Sequence, residues 1–244
     1  MSRANDPGNP APTKVAIITG ASRGIGAGLV TAFRTAGYAV VATARSVEPS
    51  DDPAIATIAG DISEAETAQR VIACALERFG RIDSLVNNAG VFIGKAFTDY
   101  TVEDFTTITA VNLAGFFHIT QRVIPQMVAH GGGHIVNVTT SLVDRADSAR
   151  PAALTSLTKG GLAAVTRSLA IEYASRGVRV NAVALGVIRT PMHDAASYAG
   201  SAALHPLGRV GEISDVAEGI LYLERATFVT GETLHIDGGQ AAGH

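Results

Sequence analysis

The chain has 244 residues, of which 47% are apolar and 17% are charged, and its formal net charge is −3. This length suits one α/β domain with a full core, and the lack of clustered Lys and Arg argues against nucleic acid as a partner. No apolar run approaches the ~20 residues that cross a bilayer, so no membrane partner is expected. Cys74 is the only cysteine, which rules out a disulfide within the chain.

Residues 1–12 combine Pro, Gly and Asn and have no apolar core of their own. This composition predicts a disordered tail rather than a secretory signal. A cytoplasmic location is therefore expected, and residues 13–244 are predicted to form a single domain.

Apolar runs of strand length alternate with helical patterns along the chain. Strands are predicted at residues 14–19, 38–43, 82–87, 134–139, 178–184 and 232–237. Helices are predicted at residues 25–37, 64–80, 102–130, 151–175 and 213–224, with Pro125 inside the third of them. Between Arg45 and Ile55, two prolines predict a short or irregular crossover. The alternation predicts an α/β, doubly wound, mostly parallel sheet with helices on both faces.

A glycine-rich turn joins the first predicted strand to the first predicted helix. Gly20, Gly24 and Gly26 allow backbone N–H groups to approach a pyrophosphate, and the helix N-terminus adds its positive end. The spacing differs from the literal G-x-G-x-x-G, and such a turn alone is weak evidence. Its place between a buried strand and a helix favours a dinucleotide site.

The end of the second predicted strand favours the phosphorylated cofactor. An acidic residue there would bind both ribose hydroxyls of NAD, but Ala44 occupies that place and Arg45 follows it. Arg23 lies in the glycine-rich turn, and two guanidinium groups near the adenosine ribose suit a 2′-phosphate. The alternative is that both are solvated surface arginines. NADP(H) is predicted as the preferred cofactor, with NAD(H) as the second choice.

Further motifs follow in chain order: Gly60-Asp61-Ile62, Asn87-Asn88-Ala89-Gly90, Asn112 in VNLAGFF, the loop 181–190, and HIDGG near the C-terminus. Together with the glycine-rich turn, they make the chain similar to the short-chain dehydrogenase/reductase family over roughly residues 14–239. It resembles the 3-oxoacyl-(acyl-carrier-protein) reductase-like members. The resemblance implies a Rossmann-like sheet of seven strands. The cofactor-binding residues that it implies are Gly20, Ser22, Arg23, Gly24, Ile25, Gly26, Arg45, Asp61, Ile62, Asn88, Ala89, Gly90, Lys159, Gly186, Ile188 and Thr190.

The same resemblance implies a hydride transfer whose proton comes from a Tyr placed four residues before a Lys on one helix. Here Lys159 is present, but Thr155 stands four residues before it, and Ala152 stands seven before it. An aliphatic hydroxyl is a far poorer acid than a phenol. Losing a positioned general acid typically costs ~10²–10⁴ in rate, so this substitution argues against ordinary catalysis more than against cofactor binding.

The remaining catalytic positions are open to two interpretations. The family's Ser corresponds to Thr140 when counted from Asn137 and lies closer to Ser141 when counted back from position 155. Either hydroxyl could polarise a substrate carbonyl. Asn112 is expected to order a chain of waters.

Two other side chains could replace the missing acid. Residues 191–208 correspond to a mobile lid in the family, and they contain His193 and Tyr198. His193 titrates near neutrality and could donate a proton, whereas Tyr198 could enter the site from the lid. The alternative is that both are surface residues.

The sequence is compatible with three alternative functions. The first is an NADPH-dependent oxidoreductase that acts on a small carbonyl or alcohol; no metal is expected. The second is a catalytically silent dinucleotide-binding protein that senses or scaffolds, and the third is an elimination or isomerisation that needs no strong acid. The resemblance also implies a homotetramer or homodimer, formed through helices 102–130 and 151–175, with the C-terminal segment making a second contact.

Overall fold

The computed structural model describes residues 13–191 and 197–243. The predicted tail and His193 lie outside these residues. Seven strands form one sheet in the order β3-β2-β1-β4-β5-β6-β7, and every neighbouring pair is parallel. The strands are β1 (Val15–Thr19), β2 (Ala39–Ala44), β3 (Ile55–Ala59), β4 (Ser84–Asn87), β5 (Gly133–Thr140), β6 (Val178–Leu185) and β7 (Thr233–Ile236). The predicted fold class is confirmed.

Helices connect most of these strands. They are α1 (Gly24–Thr35), α2 (Ala65–Phe79), α3 (Val102–Thr109), α4 (Gly115–Ala129), α5 (Ala153–Tyr173), α6 (Ser197–Ala202) and α7 (Ile213–Arg225). The predicted helix 102–130 is divided, because a π-helical turn at Ala110–Ala114 separates α3 from α4. Within the described ranges, no helix is both long and apolar enough to cross a membrane.

Two hydrophobic cores lie on opposite faces of the sheet because side chains alternate along each strand. From β1, Val15 and Ile17 enter one core, where α2, α4 and α5 pack. Ala16 and Ile18 enter the other core, where Leu29 of α1 and the apolar side of α7 pack. The sheet is therefore covered on both faces, as a buried parallel sheet requires.

The order of the strands places a crevice in the middle of the sheet. From β1 the chain moves to β2 and β3 on one side, and from β4 it moves to β5, β6 and β7 on the other. Connections that diverge in this way leave an opening at the carboxyl ends of the central strands. The functional site is therefore expected at that edge.

Candidate active site

The turn after β1 is held close to the loop after β4. The hydroxyl oxygen of Thr19 accepts hydrogen bonds from the backbone N–H groups of Asn88 (3.0 Å) and Ala89 (2.9 Å). The Asn88 side-chain amide donates to the carbonyl oxygens of Thr19 (2.9 Å) and Gly20 (3.3 Å). These contacts fix the position of the glycine-rich turn.

Two glycines in this turn, Gly20 and Gly26, leave no room for side chains. Gly20 has a φ of 67°, and a Cβ on it would lie 2.9 Å from the Ala89 Cα. A Cβ on Gly26 would overlap the Gly20 carbonyl oxygen. Helix α1 begins at Gly24 with neither a side-chain cap nor an acidic residue in its first turn. Its N-terminal N–H groups and its positive end are thus left for an anionic ligand.

A cavity of about 850 Å³ runs along the carboxyl ends of the strands. Its lining includes residues that follow β1, β2, β3, β4 and β6, together with the end of β5 and part of α5. Every cofactor-binding residue predicted from the sequence lines this one cavity. The motifs, which are spread from residue 20 to residue 190, are therefore brought together by the fold.

One end of the cavity carries the groups predicted to hold the adenosine. Asp61 accepts hydrogen bonds from the hydroxyl (2.7 Å) and the backbone N–H (2.9 Å) of Ser63, which hold the pKa of Asp61 below its usual range. Arg23 and Arg45 are exposed and line the cavity. Neither forms an ion pair with any described residue. Both guanidinium groups are available to a phosphate.

The other end of the cavity contains Lys159. Its ammonium group donates a hydrogen bond to the Val138 carbonyl oxygen (2.7 Å), and burial lowers its pKa to about 8. A Cβ on Gly90 would lie 2.9 Å from the Lys159 Nζ, so the glycine leaves space for this ammonium beside the loop after β4. Lys159 is therefore a buried cation that titrates near neutral pH.

Thr155 lies one helical turn before Lys159 on the same face of α5, and both residues line the cavity. Its buried hydroxyl donates to the Ile93 carbonyl oxygen and accepts from the Ile93 N–H, each at 3.4 Å. All five tyrosines lie in the described part of the chain, and none lines this cavity. The cavity thus has no phenol at its lysine end.

The described part of the predicted lid is fastened to the loop after β6. The Tyr198 hydroxyl donates to the Thr190 carbonyl oxygen (2.7 Å) and accepts from its N–H (3.1 Å). His205 Nδ1 lies 2.9 Å from the Ser201 carbonyl oxygen, and its Nε2 accepts from the Val187 N–H (3.1 Å). Tyr198 is buried, so the interpretation that it is a surface residue is wrong, and it points to the backbone rather than into the cavity.

The structure separates the two candidate hydroxyls after β5. Thr140 lines the cavity, where its hydroxyl oxygen accepts from the Leu142 N–H (3.3 Å). Ser141 is buried outside the cavity lining, and its hydroxyl donates to Asp237 (2.7 Å). The geometry therefore favours Thr140 as the hydroxyl that meets a substrate.

Asn112 lies in the π-helical turn, a feature that often marks functional sites. Its side-chain oxygen accepts from the Val91 N–H (2.9 Å), and its amide donates to the Val91 carbonyl oxygen and the Thr158 hydroxyl (both 3.1 Å). Asn112 does not itself line the cavity. In this structure it positions the loop after β4.

An arginine and a glutamine in the cavity lining were missed from the sequence. Arg150, in the loop before α5, and Gln240, after β7, both line the cavity. Neither belongs to a periodic pattern or a motif, so the sequence offered no local signal for them. No group of three or more His, Cys, Asp or Glu side chains is placed to hold a metal within the described residues.

The chain is matched over residues 20–241 by a family model described as enoyl-(acyl carrier protein) reductase. The 3-oxoacyl-(acyl-carrier-protein) reductase of Thermotoga maritima is 35% identical over 244 residues, covering 93% of this chain and 97% of its own. The chain therefore belongs to the short-chain dehydrogenase/reductase family of oxidoreductases, as its motifs predicted.

Two solved structures share this fold closely. ElxO with NADP bound has a TM-score of 0.88 and 29% identity, and the match covers 95% of this chain and 100% of that one. The 3-ketoacyl-(acyl-carrier-protein) reductase of Brucella melitensis, complexed with NADH, has a TM-score of 0.86 and 32% identity. The match covers 93% of this chain and 98% of that one.

Proposed function

We propose that this chain is an NADP-dependent oxidoreductase that interconverts a carbonyl and an alcohol and accepts NAD(H) less well. One observation carries the proposal: every predicted cofactor-binding residue lines the cavity that also contains Lys159. The relatives add support, because ElxO binds NADP and the Brucella reductase binds NADH.

The residues present fit the cofactor. The crowded glycines leave backbone N–H groups for the pyrophosphate, and the start of α1 adds positive potential. Arg23 and Arg45 suit a 2′-phosphate because neither is neutralised by a described carboxylate. Asp61 would accept from the adenine, and Lys159 would hold the nicotinamide ribose.

The chemistry at the lysine end follows from its side chains. When bound, NADPH would supply the hydride. The Thr140 hydroxyl would donate a hydrogen bond to the substrate carbonyl oxygen and stabilise the alkoxide that forms. The Lys159 ammonium, acting through a water beside Thr155, would then transfer a proton to this oxygen and recover one from solvent.

A variant of ElxO in which phenylalanine replaces a tyrosine was solved with NADPH bound. In that protein, a missing phenol is compatible with a bound cofactor. This supports the inference that Thr155 leaves cofactor binding intact in the present chain.

Calorimetric titration with NADPH and NADH tests the proposal. We expect NADPH to bind more tightly. Arg45→Ala should weaken NADPH binding by about tenfold, because a charge-assisted hydrogen bond is lost, and leave NADH binding unchanged. Absence of any NADPH affinity would contradict the proposal. NADPH binding without turnover across a broad carbonyl panel would instead favour the silent binding protein.

A further inference from the structure

Among the described residues, the cavity contains one cation that the proposed cofactor does not use. The described ionisable residues in its lining are Arg23, Arg45, Asp61, Arg150 and Lys159. The proposed function assigns all of them to NADPH except Arg150. Arg150 follows β5, whereas Arg45 and Asp61 follow β2 and β3, so strands β1 and β4 lie between the strands that these residues follow.

The Arg150 guanidinium has most of its donors available. It is half-buried, and one Nη donates to the Ser201 hydroxyl (3.1 Å) in α6. No carboxylate among the described residues pairs with it. A partly desolvated guanidinium with free donors is a binding group for a planar oxyanion.

Gln240 provides a second, independent indication. It is 8% exposed and lines the same cavity. Its backbone carbonyl accepts from Arg145 (3.0 Å), but its side-chain amide has no hydrogen bond to the described residues. Within the described residues no buried side-chain polar atom lacks a hydrogen-bond partner, so the Gln240 amide is open to the cavity, where its N–H groups can donate to a ligand.

Apolar side chains make up much of the cavity lining, including Phe92, Leu142 and Val187. They suit a hydrocarbon body between a carbonyl near Thr140 and a charged group near Arg150. We infer, on the basis of the proposed function, that the substrate is an oxo-carboxylic acid whose carboxylate is bound by Arg150 and the Gln240 amide.

The first test measures binding and needs no turnover. Wild-type protein saturated with NADP⁺ is titrated calorimetrically with hexanoate and with the uncharged hexanamide. We expect hexanoate to bind more tightly. Arg150→Gln should weaken hexanoate binding roughly tenfold to hundredfold and leave hexanamide unchanged, and Gln240→Glu should repel hexanoate. Arg176→Gln, on the surface beyond the end of α5, serves as the matched control.

The second test measures turnover with a matched oxo-acid and oxo-amide. We expect Arg150→Gln to raise KM for the acid alone, and Arg150→Lys to recover part of the loss. NADPH affinity, measured for every variant, distinguishes failure of the carboxylate inference from failure of the proposed function. If wild type binds NADPH but hexanoate affinity is unchanged by Arg150→Gln, the carboxylate inference is overturned and the proposed function stands. Tighter binding of hexyl phosphate than of hexanoate would overturn the choice of a carboxylate.

Discussion

The hydroxyl of Thr155 lies where a proton donor is needed, but an aliphatic hydroxyl is too weak an acid to donate the proton. It is held between the N–H and carbonyl of Ile93 by two long hydrogen bonds. A phenol ionises near pH 10, far more readily than an aliphatic alcohol. The position next to Lys159 is therefore built to deliver a proton, but Thr155 itself has little capacity to do so.

Thr155→Tyr should increase the rate of carbonyl reduction by about 10²–10⁴, the usual contribution of a positioned general acid. The comparison requires steady-state kinetics with NADPH and the best substrate of a carbonyl panel. Thr155→Phe is the control, because it adds the ring without the hydroxyl and should give no increase. Equal rates for wild type and Thr155→Tyr would show that another donor already performs the step efficiently.

The pH dependence of reduction should reveal Lys159. Burial lowers the pKa of Lys159 to about 8. Reduction needs the protonated ammonium, so kcat/KM should be constant below this pKa and fall as the pH rises through it. Oxidation of the alcohol needs the neutral amine, so its kcat/KM should rise as the pH rises through the same pKa. Lys159→Arg should lose most of the reduction activity at every pH, because a guanidinium stays protonated and cannot pass on its proton. A flat wild-type profile from pH 6 to 10 would exclude Lys159 as the donor.

The cofactor half of the site could be predicted because its glycines and motif residues act through contacts local to each strand end. Thr140 and Ser141 could not be separated, since one ends β5 and the other begins a helical turn, which sends their hydroxyls in different directions. Arg150 and Gln240 could not be predicted at all. Packing of distant segments, rather than any pattern, brings them to the cavity.

At the level of elements, the sequence predicted the strands with continuous apolar runs and missed β3. That strand lies at the edge of the sheet, and only Ala56 in it is fully buried. Its run of five residues, IATIA, is short and directly follows the proline-containing crossover, so no separate strand was recognised there. The predicted irregular crossover is confirmed, because residues 45–54 contain no helix. The π-helical turn was also missed, because one extra residue in a helix barely changes the spacing of its apolar residues.

The β1–α1 turn gives a test of the element that binds the cofactor. Gly26→Ala should greatly weaken NADPH binding, because the added Cβ overlaps the Gly20 carbonyl oxygen and must displace the turn. Calorimetry measures the affinity, and circular dichroism checks the fold. Gly161→Ala in α5 is the matched control. Its Cβ would meet only Leu113 at 3.7 Å, so it should bind NADPH normally and gain up to about 1 kcal/mol of stability.

Across the whole molecule, the two ends of the sheet differ in how their polar groups are paired. At the amino ends of the strands, Glu224 accepts hydrogen bonds from His134 (2.7 Å), Tyr38 (3.0 Å) and Ser84 (3.1 Å). At the carboxyl ends, the Gln240 amide lacks a partner among the described residues. The buried groups at the amino ends satisfy one another, whereas Gln240 faces the cavity, so the carboxyl end is the side open to a ligand and the other end is structural.

The outer faces of α4 and α5 predict how copies of the molecule associate. Phe117, Leu157 and Ile171 are 52%, 60% and 80% exposed on these helices, whereas the inner sides of the same helices pack on the sheet. Large apolar side chains grouped on one face favour an interface with another protein. A helix-to-helix contact between copies would cover them and would form the homodimer or the core of a homotetramer.

Light scattering coupled to size exclusion tests this arrangement. The wild type should elute as a dimer or tetramer, and the double variant Leu157→Glu with Ile171→Glu should dissociate it to monomers, because four carboxylates would face one another across each contact. Phe228 is fully exposed in the C-terminal segment, so Phe228→Glu should reduce a tetramer only to a dimer. A wild type that is monomeric at micromolar concentration would show that these apolar faces do not pair.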